Sequence, residues 1–176
     1  SNISVLNNHI YKFEQVQMTY RQAISFKGLG NRAAYNKIHD APNMATWIQG
    51  SNNILEYNEI FDVVKESGDT APFHTAFSAG TQGNEVRYNY IHDIDPNNYR
   101  LSRGVIQCEG TTGVYLDDST SNFRVYGNII YKPGVRGVFI NNGNNNKIEN
   151  NIFIGSQYGV YLQHRYWTIP EPPKGN

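Results

Sequence analysis

The sequence predicts an all-β chain wound as a parallel solenoid, and three observations carry that expectation. A short phrase built around asparagine recurs six times. A second, strand-like phrase recurs six times between its copies. Asn and Gly are abundant, with 16 Gly and 13 Tyr in 176 residues, which implies many tight turns and leaves little room for long helices.

The first phrase reads "NNHIY", "YNKIH", "YNEIF", "YNYIH", "GNIIY" and "NNIFI", centred on Asn8, Asn36, Asn58, Asn89, Asn128 and Asn151. Two places downstream stand Ile10, Ile38, Ile60, Ile91, Ile130 and Phe153. Three places upstream stand Val5, Ala33, Leu55, Val86, Val125 and Ile148. Every flanking position is apolar, as expected of two inward-facing strands joined at a corner. Each asparagine is expected at that corner, because Asn tolerates left-handed backbone and a stacked amide can bond to its copy one coil away.

The second phrase aligns "AISFKG" (23–28), "ATWIQG" (45–50), "TAFSAG" (75–80), "GVYLDD" (113–118), "GVFINN" (137–142) and "GVYLQH" (159–164). Its second column is Ile24, Thr46, Ala76, Val114, Val138 and Val160, and its fourth is Phe26, Ile48, Ser78, Leu116, Ile140 and Leu162. Both columns are mostly apolar and lie two apart, so they share the inner face of a third strand. With coils of about 22 residues, this describes a solenoid of about six coils. The variable lengths fall between each asparagine and the next such strand, which predicts loops at one corner, the longer ones being 62–73 and 93–112. The solenoid is expected over residues 1–168, with 169–176 as a tail.

These residues resemble right-handed parallel β-helix proteins of the pectin lyase-like superfamily, in the Asn-x-Ile phrase, the Gly-Val-x-Leu strand and their spacing. The resemblance spans roughly residues 1–165. It implies the right-handed winding, a secreted or periplasmic location, and a carbohydrate polymer bound along the Gly-Val-x-Leu strands. Such proteins usually begin with a helical cap, whereas this chain opens in mid-coil. The expectation is a fragment of a longer helix, or an end capped by missing segments or a partner.

Composition narrows the partners. Formal net charge is zero with no basic stretch, so neither nucleic acid nor an anionic membrane is expected. No apolar run approaches the length of a membrane span. Cys108 is the only cysteine and reads as structural.

Candidate function concentrates on the outward columns of the Gly-Val-x-Leu strands. The third column is Ser25, Trp47, Phe77, Tyr115, Phe139 and Tyr161, an aromatic stripe that either stabilises the sheet or docks the apolar faces of sugars. Beside it lie Asp117 and Asp118, with Asn141, Asn142, Gln163, His164 and Arg165 in the coils beyond. Adjacent carboxylates repel, which can part them into acid and base and so suits glycoside hydrolysis. Catalytic candidates are Asp117, Asp118, Glu109 on the long loop and His164. Substrate-binding candidates are Trp47, Phe77, Tyr115, Phe139, Tyr161, Arg136, Asn141, Asn142, Gln163 and Arg165.

The doublet also resembles the aspartate pair of polygalacturonases, but here "INNG" and "QHR" stand where those enzymes carry Gly-His-Gly and Arg-x-Lys. A turn, a cation site and a catalytic pair all remain readings of the doublet. The expectation is a glycoside hydrolase acting on a polysaccharide or oligosaccharide without cofactor. The alternatives are a binding or adhesion module and a polysaccharide lyase, the last with Ca²⁺ held by Asp117 and Asp118. Asp40, Asp62 and Asp93, aligned after successive strands, read as turn caps, and "DIDPNN" (93–98) is a weak cation motif.

Overall fold

A computed structural model describes residues 2–94, 100–102, 105–107 and 110–164. Three parallel sheets of six strands wrap around one apolar core. Sheet one holds Ile24–Leu29, Thr46–Ser51, Phe73–Thr75, Thr112–Leu116, Arg136–Asn141 and Tyr158–Gln163. Sheet two holds Ser4–Leu6, Arg32–Ala34, Ile54–Glu56, Asn84–Arg87, Phe123–Tyr126 and Lys147–Glu149. Sheet three holds His9–Tyr11, Lys37–His39, Glu59–Phe61, Tyr90–His92, Ile129–Tyr131 and Ile152–Ile154. No described residue is helical. A short antiparallel pair, Arg100–Ser102 with Val105–Gln107, lies within the long connection 93–111.

The core is built from the rows that the repeat predicts. Ile10, Ile38, Ile60, Ile91, Ile130 and Phe153 align across sheet three, and Val5 to Ile148 align across sheet two. The middle members are fully buried, each flanked by its own copies above and below. Burying an aliphatic side chain of this size contributes about 1.5–3 kcal/mol, so these rows dominate stability.

The corner asparagines form the expected ladder. Asn36 Nδ2 donates to Asn58 Oδ1 (2.9 Å), Asn58 to Asn89 (2.9 Å), Asn89 to Asn128 (3.0 Å) and Asn128 to Asn151 (2.9 Å). The backbone detail differs from expectation. The left-handed residue is the one before each asparagine: Asn7, Tyr35, Tyr57, Tyr88, Gly127 and Asn150 all have φ between 52° and 65°. The asparagine itself keeps ordinary backbone and spends its amide on the ladder. Tyr35, Tyr57 and Tyr88 stack outside this corner at 5.2 Å, and Gly127 continues the row because a Cβ there would lie 2.5 Å from the Tyr88 ring.

A second ladder, Asn31–Asn53–Asn84, fills the corner between sheets one and two, again just after left-handed residues (Gly30, Asn52 and Gly83). Phe123 takes the next place in its row, buried against Phe73.

Coil three corrects the alignment. Its sheet-one strand is Phe73–Thr75, not the segment beginning at Thr75: Phe73 pairs with Thr46 and Val114, and His74 with Trp47 and Tyr115. Phe73 therefore replaces Ala76 as the inward residue, Thr75 replaces Ser78, and His74 replaces Phe77 in the outward column. Phe73 precedes Asn89 by 16 residues, whereas Ile24 precedes Asn36 by 12. The surplus lies in the turn 76–83, so the insertions are not confined to one corner. The Phe-His-Thr segment wins because it puts a large ring in the core, where Ala76 would leave space unfilled.

Candidate functional site

The outward row of sheet one is Ser25, Trp47, His74, Tyr115, Phe139 and Tyr161. Its rings stack on one another. His74 and Tyr115 are 4.6 Å apart and 13° from parallel, and Tyr115 and Phe139 are 4.5 Å apart and 18° from parallel. A ring sandwiched in this way has no face left for a sugar.

The row is also roofed. Tyr115 is 2% exposed and Phe139 6%, packed with Ala71 of the loop 62–72, while the Tyr115 hydroxyl donates to Asp69 Oδ1 at 3.3 Å. The expected platform thus fails at its centre, because loop and stacking together remove Tyr115 and Phe139 from contact with ligand. Tyr161, half-buried, shares the Arg136 guanidinium with Phe139, at 4.9 and 4.8 Å.

Trp47 behaves differently. It is tilted 52° from His74, is only half-buried, and lines an open groove of about 230 Å³ with Gln49, Lys27, Arg21 and Tyr20. Phe77 lies outside the row altogether. It projects from the inserted turn, 78% exposed and at φ 56°, a conformation that a bulky side chain rarely adopts. Its amide donates to the Asp118 carbonyl at 3.2 Å, so the most exposed phenylalanine stands beside the doublet.

The doublet divides its labour. Asp117 points outward yet is only 9% exposed. Its Oδ1 accepts from Asn141 Nδ2 (2.6 Å) and from the Asp118 amide (2.8 Å), and its Oδ2 lies 3.5 Å from His74 Nε2. Burial works against its charge, but the donors gathered around it, with His74 Nε2 and the Tyr115 hydroxyl near the bonded Asn141 and Asp118 amide, outweigh burial and hold the carboxyl below the ordinary range. Burial, then the nearby carboxylates of Asp117 and Asp69, push the Tyr115 hydroxyl far upward, so that it stays protonated. Asp118 is left-handed (φ 41°) and half-exposed, and Thr120 Oγ1 donates to the Asp117 carbonyl at 2.6 Å. The pair is therefore a turn and a polar centre at once.

The other candidates scatter. Asn141 joins Asp117 directly. Asn142 and His164 line an open groove of about 400 Å³ with Ser119 and Asn122, on the turn side of the sheet. Gln163 lies with His164 in a smaller neighbouring groove. His164 is exposed and is not among the partners of Asp117. Arg136 is drawn to the ring stack and donates to the Gly110 carbonyl at 3.5 Å. Glu109, Arg165 and Cys108 lie outside the described residues, as do residues 95–98 of the "DIDPNN" stretch and the tail.

Asp40, Asp62 and Asp93 occupy left-handed turns, and Lys65 bridges the first two at 2.6 and 2.9 Å. Among the described residues no group of three or more His, Cys, Asp or Glu side chains is arranged to hold a metal ion.

Sequence reasoning missed His74, the 3%-exposed neighbour of Asp117, and Thr70, whose Oγ1 lies 3.2 Å from His74 Nδ1. The available signal was the apolar fit of Phe73, which sets the register that turns His74 outward.

The family model for a right handed beta helix region matches residues 1–166. No curated protein and no solved structure matches the chain.

Proposed function

We propose that this chain, which belongs to the right-handed β-helix family, is carbohydrate-active and hydrolyses a glycan lying over the outer face of sheet one. The observation that carries the reading is Phe77: an exposed aromatic ring held at φ 56° against the backbone of an aspartate doublet. The ring stacks on no other described ring and is left open to solvent beside polar groups, an arrangement that suits the apolar face of a sugar.

Phe77 offers the free ring face that Tyr115 and Phe139 lack, and Trp47, on the outer face of sheet one, offers a second. Asp117, held ionised, suits the base or nucleophile of glycoside hydrolysis. Asp118, half-exposed beside it, suits the proton donor to the leaving oxygen. Asn141 fixes the Asp117 carboxylate, while Asn142 and His164 offer polar contacts on the turn side.

The depth of Asp117 favours one rival, a non-catalytic glycan-binding module that uses Phe77 and Trp47 alone. A reducing-sugar assay with absorbance for unsaturated products, run across plant, algal and microbial glycans, separates the readings. Hydrolysis predicts turnover that Asp117→Asn and Asp118→Asn each lower by orders of magnitude, with stability nearly unchanged for Asp118→Asn. Retention of a glycan without cleavage, weakened by Trp47→Ala, indicates the binding module. Unsaturated products indicate a lyase.

A further inference from the structure

We propose that His74 is a positioning residue, which fixes the Asp117 carboxylate through its Nε2–H and is itself oriented by Thr70 of the roofing loop. The inference rests on the reading of Asp117 as part of the reaction centre. Its geometry stands independently of any substrate.

Three features of His74 point the same way. The imidazole is 3% exposed, and its Nε2 has no partner within hydrogen-bonding geometry, although a buried nitrogen without one is costly. The nearest acceptor is Asp117 Oδ2 at 3.5 Å, an ion-pair distance that a small ring rotation would close. At the other edge of the ring, Thr70 Oγ1 stands 3.2 Å from Nδ1. A hydroxyl can donate there, which leaves the proton on Nε2, facing the carboxylate. Stacking on Tyr115 at 4.6 Å and against Trp47 at 5.2 Å holds the ring plane.

The remaining ionisable groups around the centre are Asp118 on the turn, the Tyr115 hydroxyl, and Asp69, which accepts from that hydroxyl. The Arg136 guanidinium lies further along, over Phe139 and Tyr161. Of these, only His74 can meet Asp117 Oδ2 with a switchable N–H. The loop 62–72 thereby gains a route to the site: moving Thr70 releases the imidazole, and with it the carboxylate.

The test needs no substrate. In ¹⁵N-labelled protein, long-range imidazole NMR should find the His74 proton on Nε2, and a neutral ring protonated on Nδ1 alone overturns the proposal. Two variants then separate positioning from packing. His74→Phe keeps the stacked ring and loses the donor, whereas His74→Gln keeps a donor and loses the stack.

Followed by carboxyl ¹³C NMR, Asp117 should bind its proton roughly tenfold more tightly in His74→Phe, the size expected for one lost charge-assisted hydrogen bond. In His74→Gln it should stay close to the parent. If His74→Phe titrates like the parent while His74→Gln moves, His74 is a stacking ring only and the inference is wrong. Should His74→Phe not fold, the tautomer decides alone. A shifted Asp117 titration in a protein that cleaves no glycan would overturn the hydrolase reading and leave His74 in its place.

Discussion

Glu14 is the carboxylate whose burial has the clearest measurable consequence. It sits in the connection 12–23, 9% exposed and at φ 60°, where Oε1 accepts from the Arg21 amide (2.8 Å) and Oε2 from the Asn43 amide (3.1 Å). Burial pushes its pKa up from 4.5 to about 7, and the two backbone donors only partly oppose the rise. The folded state therefore favours the protonated form. Stability from this group is fully present below the ordinary value of 4.5 and is lost as pH rises from there through about 7.

The difference of about 2.5 pH units, at about 1.36 kcal/mol each, sets the loss at roughly 3 kcal/mol. Glu14→Gln removes the titration, but its one amide oxygen can serve only one of the two N–H groups, at a cost of about 1–2 kcal/mol. The variant should be less stable than the parent by up to about 1 kcal/mol near pH 5, and more stable by about 1–2 kcal/mol near pH 8.5. Urea denaturation across that range, taken as the difference between the two proteins, cancels the groups that they share. Stability curves that run parallel from pH 5 to 8.5 would refute the burial argument, since a purely structural Glu14 costs the same at every pH.

Three further outcomes are expected. Ile60→Ala, at the centre of a fully buried row, should lose roughly 2–5 kcal/mol in denaturant unfolding, and a loss under about 1 kcal/mol would contradict the stacked core. Asn58→Ala breaks the ladder where its amide donates to Asn89 Oδ1 and its oxygen accepts from Asn36; leaving those buried groups unpaired should cost roughly 2 kcal/mol or more, while Asn144→Ala, in an exposed turn, should stay within about 0.5 kcal/mol. Phe77→Gly removes a bulky residue from a left-handed turn, so stability should be unchanged or up to about 1 kcal/mol higher, while glycan retention in affinity electrophoresis should fall; unchanged retention would remove Phe77 from the site.

Legibility in the sequence follows how many copies a feature has. The isoleucine row and the asparagine ladder were readable because each position repeats six times under one constraint, an inward face or a corner amide. The second ladder was obscured because Phe123 interrupts it, although Asn31, Asn53 and Asn84 were all in view. The register of coil three was misread because "TAFSAG" imitates the repeat closely enough to hide the Phe73–Thr75 strand three residues earlier. Ring stacking beneath a loop was one of two readings of the aromatic column, and the sequence could not choose it over an open platform: alternation tells which way a side chain points, but not what a distant loop lays over it.

The departures from repetition are themselves informative, because they fall together. The inserted turn with Phe77, the outward His74 and the Asp117–Asp118 pair belong to coils three and four, where the loop 62–72 brings Asp69 and Thr70 to the outer face, and the interruption at Phe123 lies in the core against Phe73. A solenoid coil needs only its apolar rows and its corner amides, and the copy beside it supplies the rest of its stability. Residues that break the pattern are not explained by the repeat itself. Gly28 and Gly50, paired across adjacent coils, show how cheaply the same strand can end when nothing is asked of it, whereas coil four ends on two adjacent carboxylates and coil three on a strained phenylalanine. The exposed ring of Phe77, the outward His74 and the two carboxylates lie in two adjacent coils, which makes that part of the surface the site to test. The same placement predicts that substitution at Gly28 of coil one will change glycan handling far less than substitution at Phe77, His74 or Asp117.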